Sequence, residues 1–166
     1  MLLSVPLAGC SAAKPEATAG SAMTRRLNVR SDSMAPTMVT GQVITVYEVI
    51  PGTYKPRRQD IVAVHPTVEY QGMQQTQLMI RRVIGIPGDA VSCHYGPLML
   101  NGVALEEPYL HKGDASSQLP FDVKVPADCL WLLGDHRDIA IDCRYHLEDP
   151  NQGAIPIGNV VGIYRP

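Results

Sequence analysis

Apolar residues occur along this chain in short runs, many of them rich in β-branched side chains and closed by proline or glycine. This pattern is typical of strands joined by tight turns. It predicts a mainly β protein with few short helices, without a long amphipathic helix or an internal repeat. Proline and glycine number 14 each among 166 residues, which suits many turns. The main predicted strands are Gln42–Val49, Asp60–Val64, Thr76–Ile86, Cys129–Leu133 and Val160–Tyr164.

The strand predicted over Thr76–Ile86 carries two arginines among apolar residues. In an extended chain Met79, Arg81 and Val83 share one face, and Ile80, Arg82 and Ile84 share the other. Each guanidinium therefore lies between apolar side chains, which is unfavourable unless it is paired or reaches water.

A smaller lobe is predicted inside the main β unit. Residues 90–124 read as an inserted β-ribbon, with Asn101-Gly102 as the tight turn of a hairpin. The predicted core then consists of residues 25–89 and 125–166.

The first 24 residues are expected to attach the protein to a membrane and not to form part of the folded core. Met1–Gly9 is apolar but shorter than the roughly 20 residues of a membrane span. Leu7–Cys10 is similar to the cleavage box of a bacterial lipoprotein, and an equally good interpretation is the end of a membrane anchor. The residues up to Thr24 suit a flexible linker, and Arg25, Arg26 and Arg30 would face either lipid headgroups or solvent.

Composition excludes some functions. The net charge of −2 and the 5% aromatic content give no basis for nucleic-acid binding. The four cysteines have no CxxC spacing and the five histidines no HxxxH pair, so no metal site or other cofactor is predicted. Cys93, Cys129 and Cys143 are expected as buried thiols, and a disulfide among them stays open.

The candidate chemistry begins with two serines one residue apart, in the segment RSDSMAPTMV (30–39). Ser31 and Ser33 on an extended backbone would point to the same side. One hydroxyl could attack a carbonyl while the other donates a hydrogen bond to the developing negative charge, as acyl transfer requires. A surface turn is the alternative interpretation of this segment by itself.

Two later segments change that picture. SDSMAPTM (31–38), RRVIGIPGD (81–89) and GDHRDIAIDCR (134–144) occur in the order of three boxes of the bacterial type I signal peptidase family, membrane-anchored serine endopeptidases. The run NGVALEEPYL (101–110) and residues 153–162 also resemble that family. The resemblance extends from about Val29 to Tyr164.

The resemblance implies a role for several residues. Ser33 falls on the nucleophile, Ser31 on the hydroxyl donor of the oxyanion hole, and Arg81 on the position of the general base. A supporting network is implied for four residues of the third box: Asp135, Arg137, Asp142 and Arg144. The implied fold is an antiparallel β core with an inserted ribbon lobe. The implied partners are signal peptides of exported pre-proteins and the membrane surface, with the catalytic domain on the extracytoplasmic face of the cell membrane.

The chain departs from the family at the base. In the family the base is a lysine, which must be neutral to accept the serine proton. Arg81 occupies that position here, and arginine stays protonated because its pKa is above about 12. The serine that orients the lysine is Ala140, and a neighbouring serine is Cys143. His136, where the family has asparagine, is either a substitute base or an ordinary hydrogen-bonding residue.

Three hypotheses follow. The first is an active endopeptidase cleaving signal peptides after small residues. The second is a catalytically silent relative that binds exported segments, in which Arg81 pairs with Asp142 or Asp135. The third is a lipid-tethered β-module that depends on Cys10.

Overall fold

A seven-stranded antiparallel sheet forms the body of the protein in the computed structural model, which describes residues 23–50, 52–66, 69–70, 73–74 and 77–166. The predictions for residues 1–22, including the lipoprotein-like box at Leu7–Cys10, lie outside the described residues. The strands of the described part are β1 (Thr24–Asn28), β2 (Val43–Glu48), β3 (Ile61–Val64), β4 (Glu69–Tyr70), β5 (Met73–Gln74), β6 (Met79–Gly85), β7 (Ala90–Cys93), β8 (Met99–Leu100), β9 (Val103–Ala104), β10 (Phe121–Lys124), β11 (Cys129–Leu133), β12 (Ile155–Pro156) and β13 (Val160–Tyr164).

The strand order of the main sheet is β1-β2-β13-β3-β6-β11-β12. Short 3₁₀ helices at Asp32–Met34, Cys143–Tyr145 and Ile157–Asn159 connect its strands. The mainly β fold class is therefore confirmed. The strand predicted over Thr76–Ile86 is shorter than expected, because β6 begins at Met79; Thr76 itself lies outside the described residues.

A second sheet with the order β10-β7-β8-β9 lies within residues 90–124. Its hairpin turns at Asn101 and Gly102, whose φ angles are 52° and 80°. Both residues adopt the left-handed backbone that a two-residue hairpin turn needs, and asparagine followed by glycine tolerates it best. The division of the chain into a core and an inserted lobe remains a prediction.

Two apolar clusters fill the interior. The larger lies between the sheets and is built around Trp131, which is completely buried. The smaller lies beneath the segment that carries Ser33, and it combines residues of that segment with residues of β2 and β3. Its buried members are Val29, Met34, Met38, Ile44, Val46 and Ile61.

Asp89 stabilises the start of the second sheet. Its carboxylate accepts hydrogen bonds from Arg58 Nε at 2.8 Å, from Arg58 Nη2 at 2.6 Å and from Asn101 Nδ2 at 2.9 Å. Burial of this carboxyl opposes ionisation, but the hydrogen bonds from Arg58 and Asn101 outweigh it and lower the pKa of Asp89 to about 2.

We expect Asp89→Asn to lower the free energy of unfolding by about 2 kcal/mol at pH 7. A carboxyl whose pKa is lower in the folded than in the unfolded chain stabilises the fold above its unfolded pKa, and this stabilisation is lost as pH falls through the folded pKa. The difference between the variant and the natural chain should therefore shrink between pH 4 and pH 2. Urea unfolding at a series of pH values measures it. Asp122→Asn, at an exposed position of β10, is the control, and a difference that does not depend on pH would contradict the prediction.

Candidate active site

Ser33 lies in a 3₁₀ turn. Ser31 is extended, with φ −152° and ψ 160°, and the 3₁₀ helix Asp32–Met34 follows it directly. The prediction of an extended backbone is therefore right at Ser31 and wrong at Ser33. The predicted juxtaposition nevertheless occurs, because the turn brings Ser33 Oγ to 3.0 Å from Ser31 Oγ.

The turn is held from both sides. Below it, the side chains of Met34 and Met38 enter the smaller apolar cluster. Above it lies Gly134, where a Cβ atom would be 2.5 Å from the carbonyl oxygen of Ser33 and 2.4 Å from Cβ of Ala140. Only a residue without a side chain fits there. The next segment is also bound to the turn, since the His136 amide donates to the Ser33 carbonyl at 3.1 Å.

Arg81 reaches Ser33 from β6. Its Nη1 donates to Ser33 Oγ at 2.9 Å and to the Ile80 carbonyl at 2.7 Å, and its Nη2 donates to the Ile141 carbonyl at 2.8 Å. Its Nε is buried without a hydrogen-bond partner. Burial lowers the pKa of Arg81, although the negative charge of Asp142 opposes the shift.

The expected ion pair of Arg81 with Asp142 or Asp135 does not form, so that prediction is wrong. Both carboxylates already bind other arginines, and Arg81 is directed at a hydroxyl and two carbonyl oxygens instead. Every described hydrogen bond of this guanidinium is one that it donates. The guanidinium therefore provides a positive charge beside Ser33 and no proton acceptor.

Asp135 pairs with Arg82. Arg82 Nε and Nη2 donate to its two carboxylate oxygens at 2.8 Å and 2.6 Å, and Thr37 donates to the same carboxylate. The guanidinium of Arg82 also lies 3.9 Å from the centre of the Tyr109 ring. Through Asp135, Arg82 of β6 is connected with Thr37 in the segment that follows Ser33.

Asp142 pairs with Arg144, which donates from Nε at 2.7 Å and from Nη2 at 2.9 Å. The same carboxylate accepts the amide of Gly134 at 3.0 Å. Arg137 donates from Nε to the Gly134 carbonyl at 2.9 Å and forms an ion pair with Glu107. Asp142 and Arg144, both implied by the resemblance, pair with each other, whereas Asp135 and Arg137 pair with Arg82 and Glu107, two partners that were not predicted. Asp142 and Arg137 bind the main chain of Gly134 directly.

Neither Ala140 nor Cys143 offers a replacement for the missing hydroxyls. Ala140 is completely buried. The Cys143 sulfur accepts the Leu132 amide at 3.2 Å, and burial raises the pKa of its thiol to about 12. A thiol with that pKa is neither a base nor a nucleophile at neutral pH. Cys93 and Cys129 are likewise buried free thiols.

The ring of His136 lies against the 111–114 segment. Its ring stacks on that of His111 with 3.7 Å between the ring centres, and its Nε2 lies 3.9 Å from Asp114 Oδ1. It contacts the serine turn through its main chain only, among the described hydrogen bonds. The substitute-base hypothesis therefore lacks geometric support.

A cleft of about 760 Å³ opens at the two serines. Its lining includes residues 25–31, most of which belong to β1, and residues 77–81. In the described part, Met79–Arg81 pair with β3 along one edge, and β11 pairs with β6 only from Arg82 to Gly85. The second edge of Met79–Arg81 therefore has no partner strand, and these residues line the cleft. An extended peptide would have main-chain donors and acceptors available there.

Comparisons with known proteins show the family of the chain. The model of the family "Signal peptidase, peptidase S26" matches residues 6–165, and the chain belongs to this family. It is 33% identical over 136 residues to a signal peptidase I of Leptolyngbya laminosa, a match that covers 81% of this chain and 63% of that one. It is 27% identical over 145 residues to signal peptidase I U of Bacillus subtilis (strain 168), covering 83% and 74%.

A solved structure also resembles this one. The crystal structure of a signal peptidase I from Enterococcus faecalis V583 has a TM-score of 0.52 and 26% sequence identity, and the match covers 68% of this chain and 98% of that chain. The chain spans 63%, 38% and 53% of the length of three curated relatives that it matches.

The family is associated with membranes. No helix in the part of the chain that the structure describes has the length and apolar character needed to cross a bilayer.

Proposed function

We propose that this chain is a signal peptidase-type serine endopeptidase that acts on the signal peptides of exported precursor proteins. The observation that carries the proposal is the pair of hydroxyls, Ser31 and Ser33, 3.0 Å apart at a cleft with a free strand edge. Membership of the family supports the same substrate class. We further propose that the protein works at the extracytoplasmic face of the cell membrane, held by residues of the 1–24 segment.

Within this proposal Ser33 is the nucleophile. Ser31 Oγ and the Ser33 amide would donate to the oxygen of the scissile carbonyl as it becomes negative. The four network residues, Asp135, Arg137, Asp142 and Arg144, are positioning residues that hold the loop above Ser33. Their buried, charge-assisted hydrogen bonds keep Gly134 against the serine turn.

Arg81 takes a different part from that of the family lysine. A guanidinium 2.9 Å from Ser33 Oγ stabilises the serine alkoxide, which lowers the pKa of the hydroxyl. The guanidinium of Arg81 cannot accept the proton of the serine hydroxyl. Solvent hydroxide therefore removes the proton as water, and the alkoxide attacks the carbonyl carbon. The peptide amine leaves with a proton from water, and a second water hydrolyses the acyl-serine ester.

This mechanism makes a specific prediction about pH. With hydroxide as the proton acceptor, kcat/KM for a fluorogenic signal-peptide substrate should rise by up to about tenfold per pH unit above neutrality, until Ser33 itself titrates. A lysine base would instead give a plateau once the amine is neutral. The assay needs the full chain, with Ser33→Ala as the control for contaminating proteases.

The outcomes are distinct. A bell-shaped profile centred near neutrality that depends on Ser33 would contradict the role of hydroxide and point to a titrating side chain. Absence of Ser33-dependent cleavage at every pH would contradict the endopeptidase proposal. If the peptide still bound, the second hypothesis, a silent binding protein, would take its place.

A further inference from the structure

Two histidines and an aspartate from two segments of the chain converge beside the loop that covers Ser33. His111 and Asp114 come from the segment after Tyr109, and His136 comes from the loop after β11. His111 Nδ1 lies 3.1 Å from Asp114 Oδ1, and His136 Nε2 lies 3.9 Å from the same oxygen. These three ligand atoms lie within 4.8 Å of one another.

We propose that His111, Asp114 and His136 form a binding site for a divalent transition-metal ion of the zinc class. Two imidazole nitrogens and one carboxylate oxygen are a donor set that such ions prefer, whereas magnesium and calcium prefer oxygen alone. The inference is independent of the proposed peptidase activity.

The spacing suits one shared ion. Donor atoms bound to zinc at about 2.0–2.1 Å in tetrahedral geometry lie about 3.3 Å from each other. The separations of 3.1 Å and 3.9 Å from Asp114 Oδ1 are close to that value. The two rings are stacked with an angle of 18° between their planes, so one must tilt to aim its lone pair at the ion. The side chain of His111 is 38% exposed and has room to do so.

The surroundings hold the carboxylate in place. Asp114 Oδ2 accepts the Asp138 amide at 3.2 Å, which leaves Oδ1 directed at the two rings. The His111 amide donates to the Asp135 carbonyl at 3.0 Å, so the two segments are already joined by their main chains. The Nδ1 atom of His136 is buried without a hydrogen-bond partner among the described residues, so this ring is held by its stacking on His111 and not by a hydrogen bond at Nδ1.

A bound ion would connect the 111–114 segment to the loop that carries Gly134 and His136. The His136 amide donates to the Ser33 carbonyl at 3.1 Å, so His136 would connect the ion directly to the serine turn. The protein would retain open coordination positions for water, as a site with three protein ligands does.

The test is direct titration with Zn²⁺, using the full chain without a histidine tag, under reducing conditions and in a Cys10→Ser background that removes the thiol near the amino terminus. We expect saturable binding of one ion per chain at micromolar concentrations, measured by competition with a chromophoric chelator. His111→Asn, Asp114→Asn and His136→Asn should each weaken binding by at least about tenfold, because even outer-shell partners of metal ligands are worth roughly 10–100-fold.

His146 provides a matched control. Its Nδ1 also lies near a carboxylate, 3.4 Å from Asp149 Oδ2. Among the described residues, however, this pair belongs to no group of three metal-ligating side chains. His146→Asn should leave zinc affinity unchanged. Absence of stoichiometric binding, binding that survives the loss of any one of the three ligands, or an equal loss in His146→Asn would each overturn the proposal. Circular dichroism of every variant separates loss of a ligand from loss of the fold.

Discussion

Replacing Arg81 by lysine and Ala140 by serine together should raise kcat/KM for a signal-peptide substrate by roughly 10²–10⁴ at mildly alkaline pH, the range that a positioned general base contributes. The site that Arg81 occupies is buried and lies at hydrogen-bond distance from Ser33 Oγ. Burial favours the neutral amine of a lysine, which then has a lone pair for the serine proton. The serine hydroxyl at position 140 would orient that amine.

The single variants separate the two contributions. Arg81→Lys alone should gain activity, but less than the double variant, because the lysine amine then lacks the serine hydroxyl at position 140 that would orient it. Arg81→Gln is the control for simple removal of the cation: it provides no base and should not gain activity. If the double variant folds, binds the peptide and cleaves it no faster than the natural chain, a missing base is not what limits this site.

Asp142→Asn should lower the free energy of unfolding by about 3–5 kcal/mol, the usual effect of removing one partner from a buried ion pair. The Arg144 guanidinium is almost completely buried and donates twice to this carboxylate, which also accepts the Gly134 amide. The substitution leaves that charge without a counter-ion. Chemical denaturation at neutral pH measures the loss.

The control for this variant lies in the same loop. Asp138 is exposed, and Asp138→Asn should change the free energy of unfolding by less than about 0.5 kcal/mol. Equal effects of the two substitutions would show that the buried pair does not stabilise the loop. A double substitution of Asp142 and Arg144 by apolar residues should recover part of the lost stability, since no unpaired charge remains.

Much of the fold was accessible from local patterns. Short β-branched runs that end in proline or glycine predicted the strands, and Val160–Tyr164 was predicted with the bounds that the structure shows. The hairpin at Asn101-Gly102 followed from turn chemistry alone. These features depend on residues a few positions apart, where backbone preferences decide the conformation.

The local shape at Ser33 and the partners of the arginines were not accessible in the same way. Three apolar anchors beneath the turn, Met34, Met38 and Ile61, favour a 3₁₀ turn over an extended segment, and their convergence depends on the packed core. Arg82 meets Asp135 across 53 positions, and Arg137 meets Glu107 across 30. The alternation of residues in β6 showed that both arginines needed partners, but it could not identify them.

The histidine cluster was missed for the same reason. A search for histidines at short spacing finds nothing, because His111 and His136 are brought together by the crossing of two loops. The one local signal was His136 itself, at a position where the resembling family has asparagine. The sequence predicts either a substitute base or an ordinary hydrogen-bonding residue there, and the structure places its Nε2 3.9 Å from Asp114 Oδ1.

The absent side chain of Gly134 has a consequence for how the attacking oxygen moves. Main chain touches main chain at this point, so no flexible group lies between the serine turn and the end of β11. Strand β11 is wholly buried and contains Trp131, around which the larger apolar cluster is built. Displacements of Ser33 are therefore coupled to a strand that is packed in the interior, and the core of the protein helps to fix the position of the attacking oxygen.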